Sequence, residues 1–262
     1  MFAVKRIDKI KDFLRQYKQI DISSLSSILS VSEATVRRDL DKLEMEGFIK
    51  RTHGGAILVE DPEDDFSLQE LVQVVPNLEE KEAIGFIASN MVNNNDVIII
   101  GAGSTCYQMA KQLKNKKNLT IVTNNVLIGI EYSANREIKV ILTGGETYQN
   151  NNSISLVGDF SNKMLEGIYV SQAFIGVDGV DFDSGFTVNS SELGLVWNSI
   201  SKVSGNLIVL ADYTKFGKKG FVKCGSLDEA DKIVTNDKVP DEYKQYFFEK
   251  GIPLFTKYNL EE

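Results

Sequence analysis

Histidine is nearly absent from this sequence. His53 is the single one in 262 residues, which removes His-built metal sites and His-activated nucleophiles from consideration. Cysteine is almost as scarce: Cys106 and Cys224 lie in different segments without the paired spacing of a disulfide framework or a zinc site, as expected of a cytoplasmic protein. No apolar run approaches the roughly 18 residues of a membrane-spanning helix, and the first residues lack the apolar core of a secretory signal. Membrane insertion is not expected. Positive charge is also short, with a net of −8, but the deficit is uneven. Residues 1–59 hold 11 Lys+Arg against 8 Asp+Glu, and the remainder holds 18 against 29. A basic N-terminal part and a larger acidic part suit two domains with different tasks, the first beside a polyanion and the second away from it. With 42% hydrophobic residues, the chain has enough apolar content for a core in each.

What the basic part does have is Ser32-Glu33-Ala34-Thr35-Val36-Arg37-Arg38-Asp39-Leu40-Asp41-Lys42-Leu43, a helical pattern with one apolar and one cationic face. At about 100° per residue with Val36 at zero, Leu40 falls at ~40° and Leu43 at ~340°, whereas Arg38 falls at ~200°, Lys42 at ~240° and Thr35 at ~260°. Ser32 is a good N-cap, Glu33 suits the positive first turn, and Gly47 sits where a helix commonly stops. Alone, the pattern fits a solvated charged face as well as a DNA-reading one. Its neighbours tip the balance. Ile7, Ile10, Phe13 and Leu14 keep helical spacing upstream, and Leu25, Ile28 and Leu29 make a second short stripe before Ser32, giving helix, helix, tight turn, helix. Downstream, residues 48–59 read as two short strands joined at Gly54-Gly55, with Lys50, Arg51 and His53 near the tip, where a basic hairpin can touch phosphates. The expected DNA-binding set is Ser32, Thr35, Arg37, Arg38, Lys42, Lys50, Arg51 and His53, and the expected partner is double-stranded operator DNA.

These motifs resemble the DeoR family of bacterial transcription regulators, winged helix-turn-helix proteins with a sugar-phosphate-sensing C-terminal domain. Arg6, Ile10 and Leu14, then Ser32, Thr35 and Val36 through Leu40, occupy the family's signature spacing, and His53-Gly54-Gly55-Ala56 matches its wing. Ser26 departs from a usual alanine, and Leu71 stands about where the family carries an arginine. The acidic, helix-breaking Asp61-Pro62-Glu63-Asp64-Asp65 marks a linker, so the expected organisation is a winged helix-turn-helix domain over 1–59, a linker over 60–77 and an α/β domain over 78–262.

Beyond residue 78, helical stretches alternate with apolar strands at Val97–Ile100, Leu119–Val122, Ile138–Leu142, Gln172–Val177, Asn206–Ala211 and Lys232–Val234, the rhythm of a mostly parallel α/β sheet. Ligands bind such sheets outside the carboxyl ends of the strands. The loops there carry Gly101-Ala102-Gly103-Ser104-Thr105, Thr123-Asn124-Asn125, Thr143-Gly144-Gly145, Gly176-Val177-Asp178-Gly179, and Asp212 through Gly217. The first reads either as a phosphate cradle at a helix N-terminus or as a structural turn. It lacks both the third glycine of a dinucleotide fingerprint and the lysine of a P-loop, so no nucleotide cofactor is expected. Amides at Asn124 and Asn125, a carboxylate at Asp178 and an ammonium at Lys215 complete the inventory for a small polyol phosphate.

The DeoR resemblance continues through these loops and so covers nearly the whole chain. It implies a sensor domain similar to ribose-5-phosphate isomerase and coenzyme A transferase folds. It also implies that Gly103, Ser104, Thr105, Asn125, Gly145, Asp178 and Lys215 surround a phosphorylated sugar, with Gly101 and Asn124 in the same loops. Val196-Trp197 departs from the Lys-Arg pair common there in the family. The function expected is a regulator, specifically a repressor of a sugar or sugar-alcohol operon, released by a phosphorylated effector and acting as a homo-oligomer. Two rivals stand beside it. One is an isomerase-like enzyme using Asp178 and Asp181 as paired carboxylates. The other is an adaptor that has lost DNA binding, disfavoured by the intact Arg37, Arg38, Lys50 and Arg51.

Overall fold

The computed structural model describes residues 3–52, 54–59, 75–150 and 153–256. His53, most of the expected linker and Leu71 lie outside them. The chain divides into two compact units, Met1–Ser67 and Leu68–Glu262.

The first unit runs α1 (Ala3–Tyr17), β1 (Gln19–Asp21), α2 (Ile22–Leu29), α3 (Glu33–Met45), β2 (Ile49–Arg51) and β3 (Gly55–Leu58). Asp21 caps α2 by accepting the Ser24 N–H at 2.7 Å, and Ser32 caps α3 by accepting the Thr35 N–H at 3.3 Å. Ser26, the departure from alanine, donates its hydroxyl to the Val31 carbonyl at 2.6 Å and so ties the turn between the two helices. Gly47 follows α3 at φ +75°, a left-handed stop that costs glycine little. Val36, Leu40 and Leu43 are fully buried with Ile10, Leu14 and Leu25. Ile28, read from its spacing as part of the α2 stripe, is instead 51% exposed. Ile22, Leu25 and Leu29 suffice to fill the core side of so short a helix. The expected hairpin gains a third strand that spacing did not suggest, because β1 pairs antiparallel with β3 and gives the order β1-β3-β2.

The second unit contains α4 (Leu78–Ser89), β4 (Val97–Ile100), α5 (Ser104–Lys111), β5 (Leu119–Thr123), α6 (Val126–Glu131), β6 (Ile138–Leu142), β7 (Glu146–Asn150), β8 (Ser153–Val157) and α7 (Asp159–Glu166). It continues through β9 (Gln172–Gly176), β10 (Gly179–Asp181), β11 (Gly185–Val188), α8 (Ser191–Val203), β12 (Leu207–Leu210), β13 (Val222–Gly225), β14 (Lys232–Val234), α9 (Asp241–Lys250) and β15 (Leu254–Phe255). The six expected strands form one sheet with β15, in the order β15-β14-β12-β9-β4-β5-β6, and every pair is parallel. Their side chains feed two cores in alternation: Ile99, Val122, Ile175 and Val209 on one face, Ile98, Ile121, Phe174 and Ile208 on the other. Burial on both faces is why these strands read as continuous apolar runs. A β7–β8 hairpin and a small β10-β11-β13 sheet, neither anticipated, lie outside the main sheet. Val75 is already buried, inside the range that composition assigns to the linker.

The strand order fixes the place of a ligand site. From β4 the chain steps through β5 to β6 on one side, then returns to lay β9 against β4 and builds outward the other way. The crevice at the carboxyl ends of β4 and β9 is the switch point where such sheets bind ligands.

Candidate functional site

A cavity of about 350 Å³ opens at that crevice, within the range of about 300–1,000 Å³ usual for small-molecule sites. Gly101 leaves β4 with its N–H donated to Phe174 of β9 at 2.8 Å, and Gly103 at φ +104° turns the chain into α5. The first turn of α5 therefore presents Ser104 and Thr105, with the positive end of the helix, to the cavity. Asp178, just after β9, lines the opposite edge, its Oδ2 accepting the Asn189 N–H at 2.9 Å. Asp212 at the end of β12 caps the 3-10 turn Tyr213–Lys215 by accepting the Thr214 N–H at 3.0 Å, and that turn brings Lys215 Nζ to 3.9 Å from Asp178 Oδ1.

A second cation was not anticipated. Lys81 of α4 lines the cavity although only 5% exposed, on the same stripe as Ile84, Gly85 and Ala88. Burial pulls its pKa below the ordinary lysine value, Lys215 pulls the same way, and the charges of Asp212 and Asp178 oppose them. The legible signal was a lysine in register with a buried helical face, where an unpaired ammonium is costly unless an anion comes to it.

Of the nine residues expected around an effector, Gly101, Gly103, Ser104, Thr105, Asn124, Asp178 and Lys215 line this cavity. Asn125 and Gly145 do not. Asn125 is wholly buried as scaffold: its Oδ1 caps α6 through the Leu127 N–H at 3.1 Å, and its Nδ2 donates to the Gly103 carbonyl at 3.1 Å. Gly145 serves a turn at φ +112°, where a Cβ would lie 2.2 Å from the Val157 carbonyl oxygen. The Asp178–Asp181 pair of the enzyme reading is not assembled in the cavity. Asp181 is outside the lining, accepts the N–H groups of Asp183 and Ser184 at 3.0 and 2.8 Å, and pairs with Lys219 at 3.2 Å. Among the described residues no group of three His, Cys, Asp or Glu could hold a metal ion, and no helix is long and apolar enough to cross a membrane. Both cysteines are free and buried, and burial pushes each thiol pKa up to about 12.

In the first unit, α3 exposes Ser32, Arg37, Arg38 and Lys42, with Thr35 partly buried beneath them. Arg37 sits 3.5 Å from Glu33, whereas Arg38, Lys42 and the exposed Lys50 of β2 form no ion pair among the described residues. Arg51 behaves differently from Lys50. Its guanidinium turns back onto α3, pairing with Asp41 and donating to the Arg37 carbonyl at 3.4 Å, and its backbone N–H donates to Glu44 at 2.9 Å. That arrangement knits the wing to the helix. Underneath, Arg6 of α1 grips Asp39 through two hydrogen bonds of 2.5 and 3.1 Å, and this buried pair fixes α3 against α1.

A helix-turn-helix with a strand hairpin, carried in one chain with a switch-point α/β unit, defines a DNA-binding transcription regulator with an attached sensor domain. Family models agree: the DeoR C terminal sensor domain matches residues 76–237 and the DeoR-like helix-turn-helix domain matches 6–61. The chain belongs to the DeoR family. It is 34% identical to the HTH-type transcriptional regulator GolR of Listeria innocua over 97% of this chain and 98% of that one. It is 32% identical to the HTH-type transcriptional repressor GlcR of Bacillus subtilis over 92% and 91%. Among solved structures, a D-ribose-5-phosphate isomerase in complex with phospho-erythronic acid aligns over 53% of each chain at 19% identity, with a TM-score of 0.38.

Proposed function

We propose that this regulator represses a sugar or sugar-alcohol operon and leaves its operator when a phosphorylated sugar or sugar alcohol occupies the switch-point cavity. The observation that carries the reading is the convergence of two cations, Lys81 and Lys215, with the N-terminal turn of α5 on one half-open cavity. Helix N–H groups and ammoniums suit a phosphate, and Asp178 and Asn124 suit hydroxyls. The repressor sense is supported by the likeness to the HTH-type transcriptional repressor GlcR. In the DNA-binding unit, Arg38 and Lys42 on α3 read base edges, with Ser32 and Thr35 at its N-terminal end, while Lys50 and the wing tip with His53 meet phosphates. One winged helix covers too few bases for genomic specificity, so the protein acts as a homo-oligomer on a repeated site.

Thermal melting with a panel of phosphorylated hexoses, pentoses and hexitols tests the cavity. A ligand at 100 times its dissociation constant adds about 2.7 kcal/mol to the native state, and the same compound is expected to release labelled operator DNA. A panel that leaves both the melting curve and the DNA complex unmoved at millimolar concentration contradicts the proposal.

A further inference from the structure

The cavity holds little positive charge in reserve. Among the described residues, Lys81, Lys215 and Asp178 are the ionisable ones of its lining, and the buried Asp212 stands at the head of the turn that carries Lys215. Asp212, Lys215 and Asp178 all act on the charge of Lys81, so the four form one electrostatic group in which two carboxylates offset two cations. What remains to draw an anion is the positive end of α5 with the unpaired N–H groups of its first turn. Asp178 is the carboxylate that a ligand can reach. Its side chain is 31% exposed, whereas Asp212 is 1% exposed and gives Oδ1 to the Thr214 N–H at 3.0 Å. Asp178 Oδ2 accepts the Asn189 N–H at 2.9 Å, but Oδ1 lies 3.9 Å from Lys215 Nζ, too far for a hydrogen bond, and keeps its capacity to accept one.

Resting on the sugar-phosphate reading, we propose that the cavity accepts ligands with a single anionic end and rejects those anionic at both ends, such as aldonic acid phosphates and bisphosphates, and that Asp178 is the residue that rejects them. With the phosphate on the first turn of α5, the far end of the ligand comes to Asp178 across the crevice. A hydroxyl there donates to the carboxylate oxygen that is still free to accept. A carboxylate or second phosphate meets like charge at close range instead, and the lining offers no further Lys or Arg to offset it. Lys215 stands beside Asp178, so the two together bring no net charge to that edge.

The probes are the 6-phosphates of glucose, galactose, glucitol and galactitol and the 5-phosphates of ribose and ribitol. Each is set against the compound whose far terminal carbon is oxidised to a carboxylate or carries a second phosphate, and calorimetry on the full-length protein gives the affinities. In the set that binds, the singly anionic compound is expected to bind about tenfold tighter or more. Asp178→Asn removes the charge, keeps an oxygen for the Asn189 N–H, and is expected to bring that ratio down to about threefold or less. Members of a set share the phosphate end, so any effect of the substitution there cancels in the ratio. Asp178→Ser serves the same comparison with a shorter side chain. An Asp178 that only shapes its loop would lower the melting temperature of the variants and leave the ratio intact, which overturns the assignment. Equal or tighter binding of the doubly anionic compounds by the unaltered protein also overturns it and leaves the sugar-phosphate reading standing. Failure of every sugar compound overturns both.

Discussion

In the first unit, Arg38, Lys42 and Lys50 stand exposed with no ion pair among the described residues, whereas in the second the cavity-lining cations are withdrawn from solvent, Lys81 buried and Lys215 partly so beside Asp178. The difference follows from the partner. A duplex is a large polyanion that brings its own charge to a protein surface, so cations can wait hydrated until contact and gain by releasing counterions. A small ligand must be surrounded, and a cation held ready inside a cavity is desolvated before the ligand arrives. The first unit thus keeps its exposed cations apart from the buried Arg6–Asp39 pair. The second buries Lys81 at the wall of its cavity, near the charges of Asp212 and Asp178.

The sharpest way to separate the two units is to break the pair that holds only one of them. Asp39→Ala removes the carboxylate that accepts two hydrogen bonds from the buried Arg6, and breaking a buried pair of this kind costs about 3–5 kcal/mol. Calorimetric melting is expected to show the transition of the N-terminal unit displaced and that of the sensor unit unmoved. Lys215→Ala probes the other side. Loss of a charged partner weakens phosphate-ligand binding by about 1.5–3 kcal/mol, while operator affinity without effector stays near normal, so the variant is non-inducible in cells. Weak operator binding in the absence of effector would remove Lys215 from the ligand site.

Within the DNA-binding unit, Arg38→Ala is expected to cost about 1–3 kcal/mol on operator and little on random DNA, since base-edge contacts carry sequence. Lys50→Ala weakens both and lowers the salt slope by about one unit. Equal losses on both DNAs for Arg38→Ala would reassign it to the phosphates. The smallest expected effect is a pH slope from Lys81. Its pKa in the free protein lies below 10.5 because burial disfavours the charged form. A bound phosphate restores the charge, so the complex holds more protons than the free protein between the depressed pKa and its restored value. Affinity therefore falls as pH rises through that window. Calorimetry in buffers of different ionisation enthalpy should register proton uptake on binding, and Lys81→Met should abolish it.

How much of this was legible depended on how local the cause was. The α3 wheel placed Val36, Leu40 and Leu43 inward and Arg38 outward, as observed, because a period of 3.6 is a property of the helix itself. Asp39 was visible as a motif residue but not as the partner of Arg6, which lies 33 positions away. β1 has three residues and no alternation to betray it, and it becomes a strand only by pairing with β3. Asn125 and Gly145 carried the right residue types in the right loops. Their buried hydrogen bonds and backbone contacts make them supports of the cavity rather than its lining.

By itself, the sequence determined the family, the two-part charge distribution, the capped α3 helix with its cationic face and the set of strand-end loops, since each is written in a short stretch with its own periodicity or turn chemistry. Only the tertiary structure decided which of those loops share a cavity. That depended on β9 returning to lie against β4, a long-range pairing that closes the switch point between Gly101 and Asp178. It also brought in Lys81, which looks like part of an ordinary helix face until the sheet folds beneath it.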